Sequence, residues 1–191
     1  MSELPLSSQT SLWVDLGIIA AVWLTIAVIE CRARDRMRLT RGERLTLWAV
    51  LAAYLVIYSY LTLFYRSRFE IPRMLLKPFR SYRQAFSFTN GFRIRRLGLA
   101  RQILLNVLVY VPLGLMLPCL LRARKHPYWL TALLGLGLSV ATEALQYFTR
   151  RGYCETDDLI NNTCGCLLGL ALFALTRLLI RRWKRNILNI P

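Results

Sequence analysis

Five stretches of this 191-residue chain are too long and too apolar for an ordinary soluble domain: 12–29, 45–65, 103–121, 128–148 and 159–180. Each has the length, roughly 17 to 25 residues, at which a helix crosses the hydrocarbon layer of a bilayer. With hydrocarbon as solvent, backbone polar groups must be satisfied within the segment, and a helix does that. A soluble helical bundle would need a polar face on every run, and the second and fifth runs largely lack one. The chain therefore reads as a single membrane domain, an all-α polytopic helical bundle of about five transmembrane helices.

The formal net charge is +16. The basic residues fall between the apolar runs, where they orient helices and attract anionic lipid. No RNA- or DNA-binding motif interleaves them, so nucleic acid is not an expected partner. The connection after the first run carries six arginines (32, 34, 36, 38, 41 and 44) and should be cytoplasmic. That places the N-terminus outside and the C-terminus inside, with a basic cytoplasmic tail over 181–191. Arg122, Arg124 and Lys125 in the third connection agree, as do Trp48, Trp129 and Trp183 at the inner interface. The first run, preceded by no basic region, reads as a retained helix. The five cysteines are scattered, and Cys164 and Cys166 point to nearly opposite helix faces. Neither a metal site nor a cofactor site is expected.

One connection runs against the charge rule. Residues 66–101 carry ten basic residues yet would lie outside. Within it, Arg73, Lys77 and Arg80 recur at helical spacing, Arg83 follows, and Leu75, Phe79, Tyr82 and Phe86 form a different stripe. Pro78 forbids one continuous helix. Two short interfacial helices, 72–77 and 78–88, are expected, with Arg73, Lys77, Arg80 and Arg83 facing lipid phosphates. The alternative is a solvated charged loop.

Polar residues inside the apolar runs complete the pattern. Asp15 and Asn106 lie near the outer ends of the first and third runs. In the fourth, Glu143 and Gln146 share one face, which Arg150 continues at i+7. The fifth opens with Asp157 and Asp158, and Asp158, Asn162, Gly165 and Gly169 form one stripe. All sit in the outer half, and ionisable groups at such depth usually face a protein interior or a water-filled cavity and carry function. The expected binding set is Asn106, Glu143, Gln146, Arg150, Arg151, Asp157, Asp158 and Asn162. A purely structural ion-pair network of Glu143, Arg150 or Arg151, and Asp158 is the competing reading.

In order along the chain stand Lys77-Pro78-Phe79-Arg80, then Asn106 with Pro112-Leu113-Gly114. Ser139 with Glu143 and Gln146 follows, then an arginine, and finally Asp157-Asp158 with Asn162, Gly165 and Gly169. This ordered set, over about 70–175, resembles the VanZ-like family. Tyr110 stands where that family commonly has phenylalanine, and the arginine can be either Arg150 or Arg151. The resemblance implies a protein of the bacterial cytoplasmic membrane linked to teicoplanin resistance or envelope biology, without an established reaction. Three functions compete. The first is binding of an anionic envelope lipid, such as a polyprenyl-phosphate precursor, at the outer leaflet. The second is an intramembrane hydrolase or transferase with Glu143 and Asp158 as candidate catalytic residues. The third is a non-catalytic regulatory or structural partner.

Overall fold

The computed structural model describes residues 6–32, 39–64, 69–71, 73–86 and 93–188. Its helices are α1 (Leu6–Arg32), α2 (Arg41–Ser59), α3 (Arg80–Phe86), α4 (Arg93–Leu120), α5 (Pro127–Thr149) and α6 (Thr156–Leu188). A π-helical turn, Tyr60–Phe64, extends α2. Arg96–Leu120, Pro127–Thr149 and Thr156–Ile187 are long and apolar enough to cross a membrane, and Leu16–Ile29 is a shorter apolar stretch of α1.

The helices outrun the apolar runs that mark them. Arg96 and Arg101, read from sequence as loop, belong to the first turns of α4. Arginine is a good helix former and nothing breaks the chain between 93 and 103. Asn106 consequently lies well inside α4 and does not open it. The basic tail likewise continues α6 as far as Leu188. α4 runs unbroken through Pro112 and Pro118. Each proline removes one helical donor. Close by, the Tyr54 hydroxyl donates to Val109 O at 2.8 Å.

The centre of the bundle is α4 against α6, and glycines set their separation. A Cβ on Gly165 would lie 2.0 Å from Val107 O, and one on Gly169 would lie 2.1 Å from Val111 O. A Cβ on Gly114 would lie 2.0 Å from Cys166 O. Residue numbers rise together along this seam, so the two helices are parallel, and their backbones touch. Small residues permit that approach in membranes, where apolar burial alone drives little association. α5 returns antiparallel alongside this pair, with Gly135 against Cys166 Sγ and Ser139 Oγ accepting from Asn162 Nδ2 at 3.1 Å. Gly114, Gly135, Gly165 and Gly169 are thus the points of closest approach among these three helices.

The segment before α3 departs from expectation. Where a helix over 72–77 was expected, Met74–Leu75 is extended (β1) and pairs in parallel with β2, Cys154–Glu155. Pro78 disfavours helical geometry at Lys77, which ends any helix there. Phe79 then takes φ 59°, a left-handed turn that aims the chain into α3. Of the second expected helix, 80–86 forms, and residues 87 and 88 lie outside the described part. The arginine-rich connection over 33–38 lies outside it as well.

Candidate functional site

Buried polar side chains gather at one end of the bundle. Ser81, Ser139, Thr142, Glu143, Gln146, Asp157, Asp158, Asn161 and Asn162 are all buried there. Toward the other end, Arg122, Thr131 and Thr176 are the buried polar residues among those described. The polar end is formed by the α5–α6 connection, the start of α6, the end of α2 and the segment 69–86.

Most of the predicted residues there are spent on holding backbone. Asp157, 2% exposed, accepts from Phe79 N at 2.5 Å and Ser81 N at 2.7 Å. The left-handed turn at Phe79 aims its own N–H and that of Ser81 at one point, making a concave cradle for a carboxylate. The Pro78-Phe79 element is thus a clasp that binds Asp157, and the clasp caps the first turn of α3. Glu143 Oε2 accepts from Glu155 N at 2.8 Å, fixing the α5–α6 connection. Gln146 Nε2 donates to Thr62 O at 3.3 Å, and Arg151 Nη1 donates to Leu63 O at 3.1 Å. These two side chains close the carbonyl end of α2 and its π turn, where helical donors run out.

The two arginines separate clearly. α5 ends at Thr149, and Arg150 caps it in the left-handed region at φ 58°. Arg150 N bonds Tyr147 O and Arg151 N bonds Gln146 O, a Schellman-type ending. Arg150 therefore does not continue the Glu143–Gln146 face, contrary to the i+7 expectation, because the helix stops one residue before it. It is exposed, and its Nη1 donates to Glu70 O at 3.1 Å. Arg151 is half-buried and turned toward the bundle.

The basic residues of the covering segment also divide. Arg73 stacks over the Phe69 and Tyr153 rings at 4.7 and 5.6 Å and donates to the Tyr153 hydroxyl at 2.8 Å. Lys77 and Arg83 are exposed and Arg80 is half-exposed. None of these three makes a side-chain hydrogen bond to another described residue. The cover is stitched down by Phe69 N to Arg150 O and Cys154 N to Arg73 O, at 2.8 and 3.0 Å.

Below the cover, a chain of hydroxyls runs inward. The Tyr58 hydroxyl meets the Tyr110 hydroxyl at 2.8 Å and Thr142 Oγ1 at 2.7 Å. Tyr58 and Tyr54, one helical turn apart in the second apolar run, were the sequence's signal for this layer, and the polar-residue pattern passed over them. Asn161 was missed too. It is 1% exposed, and its Oδ1 accepts from the Tyr82 hydroxyl. The amide nitrogens of Asn161 and Asn106 are buried without a hydrogen-bond partner among the described residues. Asn162 bonds Ser139, as above, and Asp158 lies buried one turn before it. The Asp15 side chain lies outside the described residues.

Charge at this end is felt by two groups outside the spans. Burial first, then Cys164, Asp157 and Asp158, raise the Tyr82 phenol above its ordinary range. Burial first, then Glu143, Asp158 and Glu155, raise the Cys154 thiol. Both groups stay protonated at neutral pH.

Long apolar helices around a covered polar end define a helical membrane protein whose polar machinery lies at one end. The VanZ/LLP1 family matches residues 45–179, most of the chain, and the protein belongs to that family. It is 28% identical over 127 residues to Protein VanZ of Enterococcus faecium, across 66% of this chain and 73% of that protein. No solved structure matches it.

Proposed function

We propose that this protein binds an anionic cell-wall lipid or polyprenyl-phosphate precursor at the outer leaflet of the bacterial cytoplasmic membrane, and through it supports glycopeptide (teicoplanin) resistance. In this reading five helices span the bilayer, the N-terminus lies outside and the C-terminus in the cytoplasm. The polar end then stands at the outer leaflet.

One observation carries the reading. Lys77, Arg80 and Arg83 follow one another along the cover, their side chains hydrogen-bonded to no other described residue, and Tyr82 of the same segment reaches the buried amide of Asn161. Exposed Leu76, Phe79 and Phe86 stand among them, as in a segment lying in the headgroup layer. Cationic groups at that depth hold lipid phosphate through charge-assisted bonds. Binding is favoured over hydrolysis because Glu143, the candidate base, is engaged by Glu155 N–H.

Native mass spectrometry of the detergent-extracted protein tests this. An anionic lipid should co-purify with the wild type and be lost from the Lys77/Arg80/Arg83→Ala variant. Equal retention by that variant would refute the site. Turnover of a lipid pyrophosphate by wild type and not by Glu143→Gln would establish the hydrolase in its place.

A further inference from the structure

Beneath the cover stand hydrogen-bond donors that the protein does not use. Asn161 is 1% exposed, and the amide nitrogens of Asn161 and Asn106 are buried with no partner among the described residues. The two amides belong to one neighbourhood. Asn161 stands one turn before Gly165 on α6, and Asn106 one turn before Tyr110 on α4. A Cβ on Gly165 would lie 3.1 Å from Tyr110 Cβ, so these turns of the parallel helices face each other. Folded proteins leave few such donors unmet, and each one calls for a partner from outside the chain.

Charge limits what that partner is. Glu143, Asp157 and Asp158 are buried at this end, and among the described residues no lysine or arginine is buried with them. An anion there would meet like charge, and a cation accepts no hydrogen bond from an amide N–H. A neutral acceptor remains. The cover already shows its form, because the Tyr82 hydroxyl reaches in from α3 and donates to Asn161 Oδ1. A hydroxyl therefore fits one end of this amide while the other end, Nδ2, stays open. Two adjacent hydroxyls, as on a sugar ring, would satisfy both ends at once.

We infer that this polar layer takes the neutral sugar of a membrane lipid, with two adjacent sugar hydroxyls bridging the Asn161 amide. One donates to Oδ1 in place of Tyr82, and the other accepts from Nδ2. Asn106 Nδ2 serves a further sugar oxygen. Tyr82 is then a plug, carried on α3 and withdrawn as the cover lifts. Exposed Leu76, Phe79 and Phe86 on the same cover favour a lipid-borne sugar over a free one. The site does not depend on phosphate contacts at Lys77, Arg80 and Arg83.

An uncharged pair of lipids tests it. The full chain, in a polyoxyethylene detergent that carries no sugar, is offered equal glucosyl-diacylglycerol and diacylglycerol of the same acyl chains. Native mass spectrometry reads what stays bound. Wild type should retain the glucosyl lipid in preference by about tenfold, the equivalent of one net hydrogen bond. Asn161→Leu keeps the side chain's size, removes both ends of the amide and should lose the preference. Tyr82→Phe removes the plug and keeps the ring, so glucosyl retention should rise severalfold. A merely structural Tyr82–Asn161 bond would make both variants bind worse. Should Asn161→Leu fail to fold, the sign of the Tyr82→Phe effect decides alone. Displacement by excess methyl glucoside would support recognition of the sugar by itself, and resistance to it would support a lipid-borne sugar. Lys77/Arg80/Arg83→Ala should keep the sugar preference whatever becomes of anionic lipid, so the two sites fail separately. Equal retention of the two lipids by wild type, a preference surviving in Asn161→Leu, or a fall in Tyr82→Phe overturns the assignment.

Discussion

The α4–α6 seam and the polar end are neighbours in space and are held by opposite means. The seam depends on what is missing: at Gly114, Gly165 and Gly169 the absence of a Cβ lets backbone meet backbone. The polar end depends on what is present, since Asp157, Glu143, Gln146 and Arg151 each reach across the chain to a backbone group. A seam of that kind tolerates no added atom and carries no chemistry. The polar end is held by individual hydrogen bonds, each of which can loosen locally.

Substitution should expose the contrast most strongly at the seam. Gly165→Ala places a methyl on Val107 O with no flexible atom to yield, so a loss of about 3 kcal/mol or more is expected, at or above the usual overpacking range. Thermal unfolding in detergent should show the whole bundle melting earlier, in one transition. Were the melting point unchanged, the seam would not be the rigid element described.

Asp157→Asn should act on a smaller scale and locally. The clasp at Phe79 and Ser81 loses a charged acceptor, worth about 1–3 kcal/mol. Amide exchange over α3 should quicken while α4 and α6 stay protected. Uniform loss of protection would mean that the cover and the seam form one cooperative unit.

Tyr58→Phe removes the hydroxyl shared by Tyr110 and Thr142, and about 1 kcal/mol should go with it. The side chain's packing is preserved, so a larger loss would show that the hydroxyl layer carries more than its own bonds.

Cys154 reports electrostatics without changing stability. Its thiol is raised by burial and by Glu143, Asp158 and Glu155, so the thiolate appears only at higher pH than for an ordinary cysteine. The pH profile of Cys154 alkylation should be displaced upward. Glu143→Gln removes one negative charge and should bring it partly back down. The smallest effect belongs to Arg150→Ala, within about 0.5 kcal/mol, because its guanidinium is exposed and meets a surface carbonyl.

Much of the site was legible because membranes make polar residues conspicuous. Glu143, Gln146, Asp157, Asp158 and Asn162 stand out against apolar runs, and all five are buried at one end. Their partners were not legible. Gln146 and Thr62 are 84 positions apart, and Asp157 and Phe79 are 78 apart, so no local spacing predicts either pair. Arg150 misled for a different reason: helical periodicity assigned it a face, but the chain had already turned left-handed at that residue. Residues 72–77 misled because charge periodicity imitates a helix that Pro78 does not allow.

Sequence by itself determined that this is a helical membrane protein of one family, where its apolar helices lie, and that Gly165 and Gly169 share one helix stripe. Those properties are one-dimensional: length, hydropathy and small-residue spacing express local physics that needs no partner. Only the tertiary structure decided that α4 and α6 run in parallel contact, that the Pro78-Phe79 element clasps Asp157, and that Arg151 and not Arg150 turns inward. Each depends on which distant backbone group a side chain meets, and hydrogen-bond satisfaction in a medium without water is settled only when the whole bundle has closed.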